Sequence, residues 1–73
     1  MLRQDGFEFV IYSNDHTPMH VHVFKGDGEA KINLLSVIVV ESWNMKKSDA
    51  RKAKRIAVEY QIFLIEKWRE IHG

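Results

Sequence analysis

Apolar and polar residues alternate along the first half of the chain, and that alternation predicts strands. In Phe7-Glu-Phe-Val-Ile-Tyr12, Phe7, Phe9 and Ile11 share one face and the segment is aromatic and β-branched, as a strand requires. Ser13 to Met19 breaks the pattern: Ser-Asn-Asp favours turns through side-chain bonds to the backbone, and Pro18 has no N–H for a ladder. Alternation resumes from His20 to Lys25. Lys25-Gly-Asp-Gly28 is a hairpin turn signal, and Glu29 to Leu34 is the returning strand. A two-residue turn at Gly26-Asp27 fixes the register, with Lys25 opposite Gly28, Val23 opposite Ala30 and Val21 opposite Ile32. Val21, Val23, Ala30, Ile32 and Leu34 then share one face. His20 opposite Asn33, His22 opposite Lys31 and Phe24 opposite Glu29 make up the other. A slip of one residue would mix the two sets. His20 and His22 are therefore expected side by side on the polar face, away from the main core.

Val37 to Glu41 is a continuous apolar, β-branched run and reads as a further buried strand. The period then changes. Ser48 is a candidate N-cap, and nothing from Asp49 to His72 breaks a helix before Gly73. Ala53, Ile56, Ala57, Tyr60, Phe63, Leu64, Trp68 and Ile71 follow helical spacing and form a stripe to pack on the sheet. Tyr60, Phe63 and Trp68 therefore read as core, not as a stacking platform, and Trp43 as partly exposed. About 24 helical residues span roughly 36 Å, so the helix is expected to overhang a domain whose radius of gyration should be about 11 Å. The predicted fold is a single α+β domain over residues 1–73: a small antiparallel meander of about four strands packed against one long C-terminal helix. Val58, Ile62 and Ile65 form a second strip, flanked by Arg51, Arg55 and Arg69. It reads as a self-association or partner surface, with a homodimer as the first reading.

Composition narrows the options. With 73 residues there is one core, and a chain this short buries only about 60% of its unfolded surface. Small domains often add disulfides, metals or oligomerisation. Cysteine is absent, so disulfides and thiolate ligands are excluded, and a metal would need His and carboxylate ligands. The net charge of +1 makes no general case for nucleic acid or membrane. The longest uncharged apolar stretch, Ile32 to Val40, falls far short of the roughly 20 residues of a membrane span. Arg3, Asp5 and Glu8 interrupt any signal-like apolar region, so a cytoplasmic location is expected. The charges are unevenly spread. Lys46, Lys47, Arg51, Lys52, Lys54 and Arg55 put six cations in ten residues, offset only by Asp49 and balanced further on by Glu59, Glu66 and Glu70. Cations at a helix N-terminus oppose the macrodipole. RNA phosphate contact explains them, as does a solvated face that keeps a small protein in solution.

The segment Asn14-Asp15-His16-Thr17-Pro18-Met19-His20-Val21-His22 carries the chemistry, and three readings stand. His16, His20, His22 and Lys31, with Tyr12 nearby, could cleave an RNA phosphodiester without metal: one imidazole as base, another as acid, and the lysine stabilising developing charge. Alternatively Asp15, His16, His20 and His22 could hold a divalent metal ion, since His-x-His on a strand sets two imidazoles about 7 Å apart at Cβ. Lys31 opposite His22 opposes that second reading. In the third, Asn14 and Asp15 cap the turn, His16 holds the loop, and His20 and His22 are ordinary strand residues.

The run Tyr12-Ser-Asn-Asp-His-Thr-Pro-Met-His-Val-His-Val23, then Gly26-Asp-Gly-Glu-Ala-Lys31, then Ser48 opening a helix that reaches Leu64-Ile-Glu-Lys-Trp68, resembles a family of small bacterial proteins catalogued as domain of unknown function 4160. The resemblance covers nearly the whole chain. The usual motif reads S-N-D-H-x-P-P-H-V-H-V. Met19 replaces the second proline here, which should loosen the turn before His20, and the N-terminus is shorter than is common. The family has no established activity. The resemblance implies a part of a compact two-gene module in the manner of toxin–antitoxin pairs. The expected function is thus a protein-interaction component of such a module; the alternative is a small RNase-like or metal-dependent enzyme centred on His16, His20 and His22.

Overall fold

The computed structural model describes residues 1–73. Five strands, β1 (Leu2–Gln4), β2 (Phe7–Val10), β3 (His20–Lys25), β4 (Gly28–Asn33) and β5 (Val39–Trp43), form one antiparallel sheet in chain order. Helices α1 (Lys47–Glu59) and α2 (Gln61–His72) follow. The α+β class is as expected. The β3–β4 hairpin has the register that the alternation dictates, from Lys25 opposite Gly28 to His20 opposite Asn33. Its apolar face joins Phe7, Phe9 and Ile11 of the β2 segment and Ala53, Ile56, Ala57, Leu64 and Trp68 of the helices in one core.

Several expectations are corrected. The sheet has a fifth strand, β1, too short to show alternation. Its signal is the Asp5-Gly6 turn, where φ values of 52° and 83° fit a tight hairpin that pairs Gln4 with Phe7. The run from Val37 to Glu41 is not a buried strand. Asn33 Oδ1 accepts the N–H groups of Leu35 and Ser36 at 2.8 and 2.9 Å, so the chain turns there. Val37 sits in that turn at φ 53°. β5 starts only at Val39, is an edge strand, and is mostly exposed.

The single long helix is also broken. Tyr60, at φ −105° and ψ 20°, leaves the helical region and separates α1 from α2. Neighbours pin this break: the Tyr60 hydroxyl lies 3.5 Å from Gln4 Oε1, and the Gln61 amide donates to the carbonyls of Leu34 at 2.8 Å and Leu35 at 3.2 Å. The arm therefore stays on a body of 33 × 22 × 20 Å, with a radius of gyration of 11.1 Å. Ser48 lies inside α1; Lys46 is the N-cap and makes no side-chain cap. Phe63 and Ile71 point outward instead of joining the stripe.

Candidate metal centre

A strand's period of two places His20 and His22 on the same side of β3, and their ring centroids stand 5.1 Å apart. The preceding loop folds Asp15 onto them. The Asp15 N–H donates to the Tyr12 carbonyl and the Tyr12 N–H donates to Asp15 Oδ2, both at 3.1 Å, a reciprocal pair that closes the turn. Asp15 Oδ1 then lies 3.4 Å from His20 Nε2 and 3.4 Å from His22 Nε2. One donor atom from each of the three residues lies within 4.8 Å of the others.

The second nitrogen of each ring decides what the first can do. His20 Nδ1–H donates to the Pro18 carbonyl at 2.9 Å. A carbonyl can only accept, so Nδ1 carries a proton and Nε2 is the nitrogen that faces Asp15. His22 Nδ1 is buried without a well-aligned hydrogen bond, and its nearest acid is Glu29 Oε2 at 3.4 Å. The bond from His20 to Pro18 is of the kind that commonly orients a metal-binding histidine, by a carbonyl or carboxylate on the far nitrogen. The 3.4 Å spacings are long for charge-assisted hydrogen bonds, which run about 2.7–2.9 Å. The two edges that meet at Asp15 Oδ1 match the roughly 3.3–3.4 Å edge of a tetrahedron whose ligands sit about 2.0–2.1 Å from zinc, and the donor atoms of the two rings lie within 4.8 Å of each other.

Asp15 is a ready ligand. Burial pushes its carboxyl up. The Tyr12 N–H, the His22 hydrogen bond and the charges of His20 and His22 together outweigh that, holding it below its ordinary value of 3.8. The Tyr12 ring lies edge-on to His22 at 5.0 Å, and the Trp68 ring lies 5.4 Å from His20. Trp68 also stacks on His72 at 3.8 Å. His20 is only 7% exposed, so the expectation that both histidines stand clear of the core is corrected: α2 brings Trp68 against the start of β3.

Of the predicted site residues, Asp15, His20 and His22 converge. His16 does not. It is exposed and outside the cluster, because the turn that folds Asp15 inward leaves its neighbour facing solvent. Lys31 is opposite His22 as expected, but makes no ion pair with Asp15 or Glu29 and has Glu41 across from it in β5. Glu29 was not foreseen. Its signal is diagonal: it lies two residues from Lys31 on the same face, within reach of His22. Nothing in the sequence marks Trp68 as a neighbour of His20.

A family model described as Domain of unknown function (DUF4160) matches residues 6–69. The chain belongs to this family. No curated protein and no solved structure matches it. The matched span of the DUF4160 domain holds all three convergent donors, Glu29, Trp68 and the Tyr60 break, and leaves out β1 and His72. Away from the centre, Lys46, Lys47, Arg51, Lys52, Lys54 and Arg55 form no ion pairs. The acid among them, Asp49, is held by Lys25 at 3.4 Å. No helix of the domain is long and apolar enough to cross a membrane.

Proposed function

We propose that this DUF4160 domain binds a divalent metal ion, zinc first, through Asp15 Oδ1, His20 Nε2 and His22 Nε2, in a centre of the catalytic type. The observation that supports this is the convergence of three donors within 4.8 Å of one another, with Asp15 Oδ1 3.4 Å from each imidazole Nε2, while the far nitrogen of His20 is tied to the Pro18 carbonyl. Two imidazoles and one carboxylate are a known zinc ligand set, and three protein ligands leave a position for water or substrate. An ion there would acidify its water and polarise an ester or phosphodiester oxygen, making metal-assisted hydrolysis the reaction class. The Pro18 carbonyl orients the His20 ring, Glu29 is the acid nearest His22 Nδ1, and Tyr12 and Trp68 flank the two imidazoles.

The test is zinc titration by calorimetry, with metal content measured on the purified protein. One zinc per chain is expected, with a melting temperature that falls in chelator. His22→Ala, checked by circular dichroism for an intact fold, should bind at least about tenfold more weakly. No saturable zinc binding and a chelator-insensitive melt would overturn the proposal.

A second reading, the protein-interaction component of a toxin–antitoxin-like module, rests on a different observation. Val58 and Ile62 are 54% and 75% exposed on a helical arm whose other side is already packed. Expression with and without the neighbouring gene, scored for growth arrest and co-purification, tests it. Neither toxicity nor co-purification would dismiss it.

A further inference from the structure

We infer that the outer face of the α1–α2 arm is a docking site for an acidic amphipathic helix of another protein. The inference rests on the interaction reading above and is independent of the metal centre.

Arg51, Arg55, Val58, Ile62, Ile65 and Arg69 recur at steps of three and four. The bonds from Tyr60 N–H to the Ile56 carbonyl and from Leu64 N–H to the Tyr60 carbonyl keep helical connectivity across the break, so these residues lie along one stripe of the arm. Its centre is apolar. Ile62 is the most exposed large apolar side chain of the molecule, Val58 is exposed beside it, and Ile65 is half-buried against the core edge. Both ends of the stripe are cationic. Arg51, Lys54, Arg55 and Arg69 make no ion pair, although Glu59 and Glu66 belong to the same two helices. Arg51, Lys54, Arg55 and Val58 also line a shallow depression.

This pattern selects its occupant. In a two-fold pair of copies, residue i meets j and j meets i. With the arms antiparallel about Tyr60, Arg51 meets Arg69 of the other copy; with the arms parallel, each arginine meets itself. Either way like charges oppose, so a second copy fits poorly. Nucleic acid would use the cations and leave Val58 and Ile62 facing phosphate or water. An anionic bilayer calls for a broader apolar face with large aromatic residues. A helix with apolar residues at its centre and acids at both ends satisfies every part of the stripe, in the helix-on-groove mode with anchors at i, i+3, i+4 and i+7.

The probe is a fluorescein-labelled synthetic helix of about 18 residues, with leucines at the centre of one face and glutamates at both ends of that face. Fluorescence anisotropy should show saturable one-to-one binding that weakens with salt. Ile62→Asp, and Arg51→Glu combined with Arg55→Glu, should each weaken it by about tenfold or more. A peptide with lysine for every glutamate should not bind. These side chains are exposed, so the variants should fold, and unchanged zinc titration of each variant separates loss of docking from loss of the metal centre. The inference is overturned if the acidic helix does not bind saturably. It is also overturned if oligouridine or phosphatidylserine vesicles bind while the peptide does not, or if sedimentation shows a dimer that Ile62→Asp dissociates.

Discussion

Asp15 has two tasks, closing the loop through the Tyr12 N–H and facing both imidazoles, and each favours its ionised form. Its carboxyl is held below 3.8 in the folded chain, so the unfolded chain binds more protons in the window just below that value. Stability from this group is therefore fully present above about pH 4 and is lost as pH falls through the folded value. Urea midpoints measured from pH 6 downward should show a drop below about pH 4 that Asp15→Asn largely removes. A drop of the same size in the variant would assign the acid sensitivity elsewhere. At this scale the sequence was informative where geometry is forced. His20 and His22 had to share a face once the hairpin register was set, and Asp15 was a natural third ligand. His16 looked equally suitable by spacing. The direction of a loop side chain depends on backbone bonds such as the one from the Tyr12 N–H, which no periodicity encodes.

The bend at Tyr60 shows the same limit for an element. Tyr60 fits the apolar stripe, no glycine or proline stands near it, and helix propensity favours continuation. The break is held by tertiary bonds, above all those from the Gln61 amide to the Leu34 and Leu35 carbonyls. Gln61→Ala should cost about 1–2 kcal/mol in urea denaturation by leaving those carbonyls with water alone. Gln61→Glu should cost at least as much, since a carboxylate would face two acceptors. If both variants match the parent, the bend has another cause. Turn chemistry was more legible: Gly26-Asp27 placed the central hairpin to the residue. The Asp5-Gly6 turn carried the same kind of signal, obscured only by the brevity of the strand before it.

For the whole molecule, the layer of helix on sheet follows from two apolar periodicities meeting in one chain. Which parts of the arm the sheet covers does not. Phe63 and Ile71 match the core stripe in spacing but lie at its edges on α2, exposed beside the buried Leu64 and Trp68. A domain of 73 residues has a thin stability margin, so a ligand that binds only the folded state would raise it by mass action. The setting of Trp68 makes that coupling observable. Its indole contacts the rings of both His20 and His72, whereas the other tryptophan, Trp43, is 46% exposed. With Trp43→Phe in place, tryptophan emission, excited selectively over Tyr12 and Tyr60, would come from the one indole that touches a proposed ligand. Zinc uptake should then alter intensity or wavelength with the same midpoint as the calorimetric titration, and an emission spectrum indifferent to zinc would place the ion elsewhere. The chain thus carries its own optical gauge of the site's occupancy, readable without a label.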